Sequence, residues 1–98
     1  MLVLPASHQV DMRRAGKLVG AKVRLASEEE MTPLFAGYET GAEPPFGSVY
    51  KIKTSVDPAL SGQESIVFRA CTHERTLRMS YEDYVALENP TVAEFGAP

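Results

Sequence analysis

The sequence predicts an α+β fold, a mixed and mostly antiparallel sheet with flanking short helices. Three observations support this: an apolar first segment without polar alternation, three helical segments with capping residues, and several alternating segments in the second half. The predicted order, βαβα followed by three strands and a helix, is typical of α+β or mixed α/β domains. A chain of 98 residues has room for one core, so we expect a single domain over residues 1–98.

The three helices are predicted from their ends. Asp11, Ser27 and Ser80 each precede a helical pattern and can accept hydrogen bonds from its first turn. The second and third of these caps have an acidic residue three positions later, as in a capping box. Gly20 and Pro90 are predicted to stop the first and last helices, and a proline inside the second should keep it short.

The strands are predicted at residues 1–5, 22–26, 48–56, 65–71 and 76–80. The first is apolar throughout, as in a strand buried on both faces, and the third alternates strictly. Buried side chains are expected on these strands. The predicted core comprises Leu2, Leu4, Val23, Leu25, Ile52, Val67, Phe68 and Leu77.

Composition and charge exclude several classes of protein. The chain is 44% hydrophobic and 23% charged, and it has no apolar run long enough to span a bilayer, so we expect a cytoplasmic globular protein. Its formal charge of −3 argues against binding a long stretch of nucleic acid backbone, while a short nucleotide end remains possible. One cysteine and two histidines provide no zinc-ligand spacing, so we expect no metal.

One loop is unusually rich in conformationally restricted residues. Residues 37–47 read GYETGAEPPFG, with three glycines and two prolines. Glycine permits positive φ and close approach of the backbone, whereas proline fixes φ. The loop therefore either packs rigidly as a turn or lid, or presents backbone N–H groups to a closely bound ligand.

Five segments at one set of spacings resemble the YbaK/prolyl-tRNA-synthetase-associated domain family. They read LPASHQVD, RLASEEE, GYETGAEPPFG, THE and RMSYEDY, and the resemblance extends from Leu2 to Phe95. Its most specific element is the loop, in which Gly41 and Pro45 fit the G-x-x-x-P motif of the family. The alternative interpretation is that the loop only joins a helix to a strand.

The resemblance implies an aminoacyl-tRNA deacylase, an editing enzyme that hydrolyses the ester of tRNA mischarged with a small amino acid. Such an ester is already activated, so a positioned water and backbone donors suffice without a cofactor. The implied partner is the charged tRNA 3′ end, and the implied catalytic residues are Gly41 and His73. The residues implied to bind the substrate are Gly37, Tyr38, Ala42, Pro44, Pro45, Phe46, Gly47 and Cys71.

Several residues have a structural interpretation beside the functional one. His73 is in a position where the family has a polar residue that orients the substrate, but it is equally well a solvated histidine between strands. Cys71 replaces the glycine usual in the family and is expected to be a buried, inert thiol. His8 either caps the first helix or faces the cleft, and Glu28–Glu30 form a solvated first turn.

The lysines at positions 51 and 53 are expected on an exposed strand face, where they could also meet a phosphate. The resemblance further implies an earlier segment with a phosphate-binding lysine, which no position of this chain matches. The chain thus looks N-terminally truncated, and an open strand edge predicts a homodimer through the N-terminal strand. The alternative function is a non-catalytic module that binds the tRNA end or the aminoacyl group.

Overall fold

The computed structural model describes residues 1–35, 37, 39 and 42–98 as an α+β domain, which confirms the predicted fold class. A 3₁₀ helix at Gly47–Tyr50 follows the glycine- and proline-rich loop. The helices among these residues are α1 (Met12–Val19), α2 (Glu28–Leu34), α3 (Pro58–Ser61) and α4 (Tyr81–Glu88). The strands are β1 (Leu2–Val3), β2 (Gln9–Val10), β3 (Ser55–Val56), β4 (Ser65–Arg69), β5 (Thr76–Ser80), β6 (Thr91–Val92) and β7 (Gly96–Ala97).

The strands of the described residues form three small sheets. β3 lies between β1 and β6 and pairs with both in parallel, Leu2 facing Ser55 and Ser55 facing Thr91. The other two sheets are antiparallel pairs, the β4–β5 hairpin and the β2–β7 pair near the two ends of the chain. β1 is therefore an edge strand within the part of the chain that the structure describes.

The predicted helix ends are confirmed. The Asp11 carboxylate accepts from the first turn of α1, and Gly20 closes the helix with φ of 78°. The Ser27–Glu30 capping box is present in full. Hydrogen bonds from the Arg24 side chain, followed by those from Ser27, lower the pKa of Glu30 to about 2. At α4, the Ser80 hydroxyl accepts from the N–H of Asp83.

Two of the predicted strands are wrong. Residues 22–26 contain no strand and are mostly exposed, so their alternation does not reflect a buried face. Residues 48–56 contain most of the 3₁₀ helix, then a left-handed turn at Lys51 with φ of 60°, and only Ser55–Val56 as strand. The left-handed turn breaks the extended conformation that a continuous strand requires, so the alternating pattern is divided between two structures.

The core is centred on Val56, Ile66 and Tyr84, with Phe68 and other apolar side chains packed against it. Three predicted core residues are exposed instead: Leu25 by 73%, Val67 by 57% and Leu77 by 56%. Leu25 is in the segment without a strand. Val67 is on the outward face of the β4–β5 hairpin, because side chains alternate along a strand and its neighbour Ile66 is buried.

A buried carboxylate joins the C-terminal strand to the three-stranded sheet. Asp57 is 5% exposed and accepts backbone hydrogen bonds from Ala59 at 2.9 Å, Phe95 at 3.1 Å and Gly96 at 2.8 Å. Burial alone would raise the pKa of Asp57, but these donors, helped by the nearby His8, lower its pKa below the ordinary value.

Within residues 1–35, 37, 39 and 42–98, no helix is long and apolar enough to cross a membrane.

Candidate active site

The glycine- and proline-rich loop is hydrogen-bonded to the turn of the β4–β5 hairpin. The N–H of Glu39 donates to the carbonyl of Cys71 at 2.9 Å, and the N–H of Cys71 donates to the carbonyl of Ala42 at 3.0 Å. The Glu39 carboxylate also accepts from the backbone N–H of His73 at 2.8 Å. The structure therefore brings together two segments that are separated by some thirty residues of sequence but were both predicted to form the site.

Cys71 has a left-handed backbone conformation, with φ of 74°. A side chain in this region is strained by its Cβ, and glycine is the residue that adopts it most readily. The conformation gives a physical reason for the glycine that the family usually has at this position. Cys71 is half-buried, so the expectation of a buried thiol is wrong.

The proline end of the loop is held by α4 and the hairpin. The Tyr84 hydroxyl donates to the carbonyl of Pro45 at 2.6 Å. The Phe46 ring lies edge-on to Tyr84 at 5.3 Å and to Phe68 at 5.7 Å between ring centroids. Burial, followed by the nearby Glu88, raises the pKa of Tyr84, so its hydroxyl stays a donor at neutral pH. These contacts fix the loop where it joins the 3₁₀ helix.

A second set of hydrogen bonds fixes the residues immediately after the prolines. The N–H of Gly47 donates to the Thr54 hydroxyl at 3.0 Å, and that hydroxyl donates to the Glu88 carboxylate at 2.7 Å. Glu88 is 9% exposed and also accepts from the N–H and hydroxyl of Ser48 at 2.9 and 2.7 Å. The Glu88 carboxylate thus accepts three hydrogen bonds from Ser48 and Thr54, and α4 holds this end of the loop through them.

Sequence reasoning missed the residues that fix the loop: Ser48, Thr54, Tyr84 and Glu88. A signal was present for two of them. Tyr84 and Glu88 are four residues apart on α4 and therefore share one helix face. A carboxylate on the same helix face as a core tyrosine needs a hydrogen-bond donor nearby. No local pattern indicated that the donors would come from residues near the start and end of the segment predicted as one long strand.

Two apolar cavities meet at Pro45. The larger, about 440 Å³, is a cleft between β1, α2 and the loop, and Glu43 is the charged residue at its wall. The smaller, about 270 Å³, is lined by β1, β4 and neighbouring residues, with Phe68 and Leu60 among them. Leu4 lines both. The loop thus separates two spaces that are large enough for small organic groups.

The predicted site residues are only partly assembled around these cavities. Pro45 lines both, and Ala42 and Gly47 are buried beside it. Gly37 is exposed with φ of 90°, and Pro44 and Phe46 are half-buried. His73 is exposed on the hairpin turn and lines neither cavity, and the Arg69 guanidinium donates to its carbonyl. Tyr38 and Gly41 lie outside the described residues.

The remaining candidates occupy other surfaces. His8 does not cap α1, since Asp11 does, and the His8 ring contacts the Ser7 hydroxyl at 3.0 Å. Lys51 and Lys53 are exposed, although not on a strand, and line a groove of about 440 Å³ beside Glu88. The described residues contain no group of three His, Cys, Asp or Glu side chains that could hold a metal ion.

These features define a small α+β domain in which the described residues of a glycine- and proline-rich loop are hydrogen-bonded beside apolar cavities. Residues 1–87 match the model of the aminoacyl-tRNA editing domain, and the chain belongs to this family. The resemblance to YbaK/prolyl-tRNA-synthetase-associated domains is thereby confirmed.

One relative is the multifunctional Ser/Thr-tRNA deacylase ProXp-y of Escherichia coli K12, which is 30% identical over 97 residues, covering 97% of this chain and 58% of that protein. The chain therefore spans little more than half the length of this relative. A crystal structure described as a candidate trans-editing enzyme for prolyl-tRNA synthetase has a TM-score of 0.84 at 26% identity, covering 99% of this chain and 61% of the other. A scaffold protein for computational epitope grafting has a TM-score of 0.85 at 23% identity, covering 99% and 64%, and shows the fold alone.

Proposed function

We propose that the chain is an aminoacyl-tRNA deacylase that hydrolyses the ester between a small amino acid and the tRNA 3′ end. The observation that supports this most strongly is the editing-domain match over residues 1–87, which includes the loop and the hairpin turn. The relative ProXp-y is named for action on Ser- and Thr-tRNA, so we propose serine or threonine as the amino acid removed.

The proposed chemistry needs a water that attacks the ester carbonyl and donors for the oxygen that becomes negative. The N–H groups of Ala42, Phe46 and Gly47 already donate within the protein, to Glu39, Pro44 and Thr54. They maintain the loop and do not serve the substrate. From the resemblance to the family, we assign the substrate-facing donor to the backbone of Gly41, the glycine of the G-x-x-x-P motif, where the absence of a Cβ permits close approach.

The proposed substrate position is beside Pro45, where the two apolar cavities meet. An apolar wall with few polar groups suits a small side chain and excludes competing water. His73 is proposed to orient the ester or the water from the hairpin turn, which the Glu39 carboxylate ties to the loop. We further propose that residues 1–98 act as one editing domain in the cytoplasm and that the exposed edge of β1 pairs with a second copy.

Three variants test the assignment. Gly41→Ala should remove most deacylation of mischarged tRNA, because the added Cβ obstructs the ester. His73→Ala should cost about ten- to a hundredfold in rate, the effect of losing one orienting hydrogen bond of roughly 1–3 kcal/mol. Cys71→Ser is the control and should keep turnover, since no thiol chemistry is invoked.

The reverse pattern would refute the mechanism. If Cys71→Ser abolishes turnover while Gly41→Ala preserves it, the reaction uses the thiol and the loop is only structural. If the wild-type chain binds a charged tRNA end without hydrolysing it, the chain is a binding module instead of an enzyme.

A further inference from the structure

The charge of the chain is distributed unevenly along the sequence. Residues 1–26 contain five basic residues and one acidic residue, a net charge of +4, whereas residues 27–98 contain five basic and twelve acidic residues. The overall charge of −3 therefore conceals a basic N-terminal quarter. A local excess of this kind attracts polyanions even when the whole protein is acidic.

Most of these basic side chains are on one face of α1 and directly after it. Arg13, Arg14 and Lys17 occupy neighbouring positions of the helix surface, since residues three and four apart share a face. All three are exposed, whereas Ala15 between them is buried, and exposed Lys22 follows the helix. The Arg14 guanidinium is 3.7 Å from the Asp11 carboxylate. Among the described residues, Arg13, Lys17 and Lys22 form no ion pair.

The last turn of α1 lies near one of the lysines that follow the loop. Leu18 and Val19, in the last turn of α1, line a cavity of about 530 Å³ together with Lys53. Lys53 also lines the adjoining groove with Lys51. The only carboxylate lining that groove among the described residues is Glu88, whose oxygens are engaged by Ser48 and Thr54. We call these exposed basic residues of α1, of the segment after it and of the groove together the basic face: Arg13, Arg14, Lys17, Lys22, Lys51 and Lys53.

The basic face adjoins the candidate active site. Ile52, between the two lysines, lines the lysine groove, the cavity beside α1 and the apolar cleft that contains Pro45. A bound polymer whose end lies in the cleft therefore has a direct path over Ile52 to the two lysines and then to α1.

From this arrangement we propose that the basic face binds the phosphate backbone of the tRNA acceptor stem while the 3′ end occupies the cleft beside Pro45. The inference rests on the proposed function and adds the surface that binds the body of the substrate. Backbone phosphates are the ligand that this surface suits, because Arg and Lys on an exposed helix contact them without reading sequence. Six basic side chains can contact only a few phosphates, in keeping with the modest net charge.

The test is binding of uncharged tRNA at several salt concentrations by the wild-type protein and by Arg13→Gln/Lys17→Gln. Glutamine retains helix propensity, so the variant should fold normally. Each lost phosphate contact should reduce the slope of log K against log salt by about 0.7 to 0.9, so the double variant should lose roughly 1.5 units of slope. Its affinity near 0.1 M salt should fall about tenfold or more.

The matched control is Arg78→Glu, which changes the net charge by the same two units at an exposed residue of β5 that is not part of the basic face. It should change the affinity and the slope much less. Equal effects of the two variants would overturn the proposal, and so would binding to anionic vesicles without binding to tRNA.

A second substrate separates this proposal from the proposed function. Hydrolysis of a short oligonucleotide ending in CCA and esterified with serine should be unchanged in Arg13→Gln/Lys17→Gln. If the wild-type protein does not hydrolyse this ester while the tRNA affinities follow the predicted pattern, deacylation fails and the basic face stands. If it hydrolyses the ester and the double variant binds tRNA as the wild type does, only the basic face is refuted.

Discussion

Gly47→Ala should destabilise the domain because the structure has no space for a side chain at this position. A Cβ at Gly47 would lie 2.4 Å from the Thr54 hydroxyl and 2.7 Å from the carbonyl oxygen of Ile52. The second contact is with backbone, and the Thr54 side chain cannot rotate away without breaking its hydrogen bonds to Gly47 and Glu88. The substitution therefore forces either a shift of the loop or the loss of these bonds.

The magnitude follows from these contacts. Overpacking costs about 1–3 kcal/mol and each lost hydrogen bond about 0.5–1.5 kcal/mol, so with both bonds lost we expect Gly47→Ala to cost roughly 2–6 kcal/mol. For a domain of this size the melting temperature should fall by roughly 10 °C or more. Urea and thermal unfolding followed by circular dichroism measure both quantities.

Gly62→Ala is the matched control for this experiment. A Cβ at Gly62 would be 4.0 Å from the nearest atom, and its φ of −77° suits any residue. The free energy of unfolding should change little or increase by up to about 1 kcal/mol. If Gly47→Ala unfolds at the same urea concentration as Gly62→Ala, the packing of the loop against Thr54 and Ile52 is not what the structure indicates.

Three further outcomes are expected. Cys71→Gly should raise the free energy of unfolding by about 1 kcal/mol by relieving the positive φ, while Cys71→Ser leaves it unchanged; equal urea midpoints for both would contradict this. Asp57→Asn should cost about 1–3 kcal/mol at pH 7. Because the folded pKa of Asp57 is lowered, its contribution to stability is present above about pH 4 and disappears as the pH falls through the folded pKa. The free energies of unfolding of the wild type and Asp57→Asn should therefore converge in acid, and a constant difference would refute this. Sedimentation should show dimers at rising concentration, and a monomer at every concentration would exclude pairing through β1.

The helix ends were predictable because capping is local chemistry. The Asp11, Ser27 and Ser80 side chains each satisfy N–H groups only two or three residues away, so the sequence contains both partners at short range. The strands were less predictable. The segment around Lys51 alternates like a strand, but the chain turns at Lys51, which has a positive φ. Gly47 and Thr54 are buried against Glu88 of the distant helix α4, and this contact stabilises the turn.

The candidate site shows the same division. The glycines and prolines of residues 37–47 marked the loop, because their backbone preferences are properties of the residues themselves. Its supports, Tyr84 and Glu88, are some forty residues further along the chain and make contacts that no local pattern specifies. The basic face was likewise hidden, since net charge averages over a chain whose positive residues are concentrated near α1.

The most direct test of the central claim is the rate at which the purified chain deacylates tRNA charged with serine or threonine. A tRNA charged with a bulky amino acid serves as the comparison. We predict hydrolysis of the small esters well above the spontaneous rate, little hydrolysis of the bulky one, and loss of the difference in Gly41→Ala. Deacylation no faster than the spontaneous rate for every charged tRNA would contradict it.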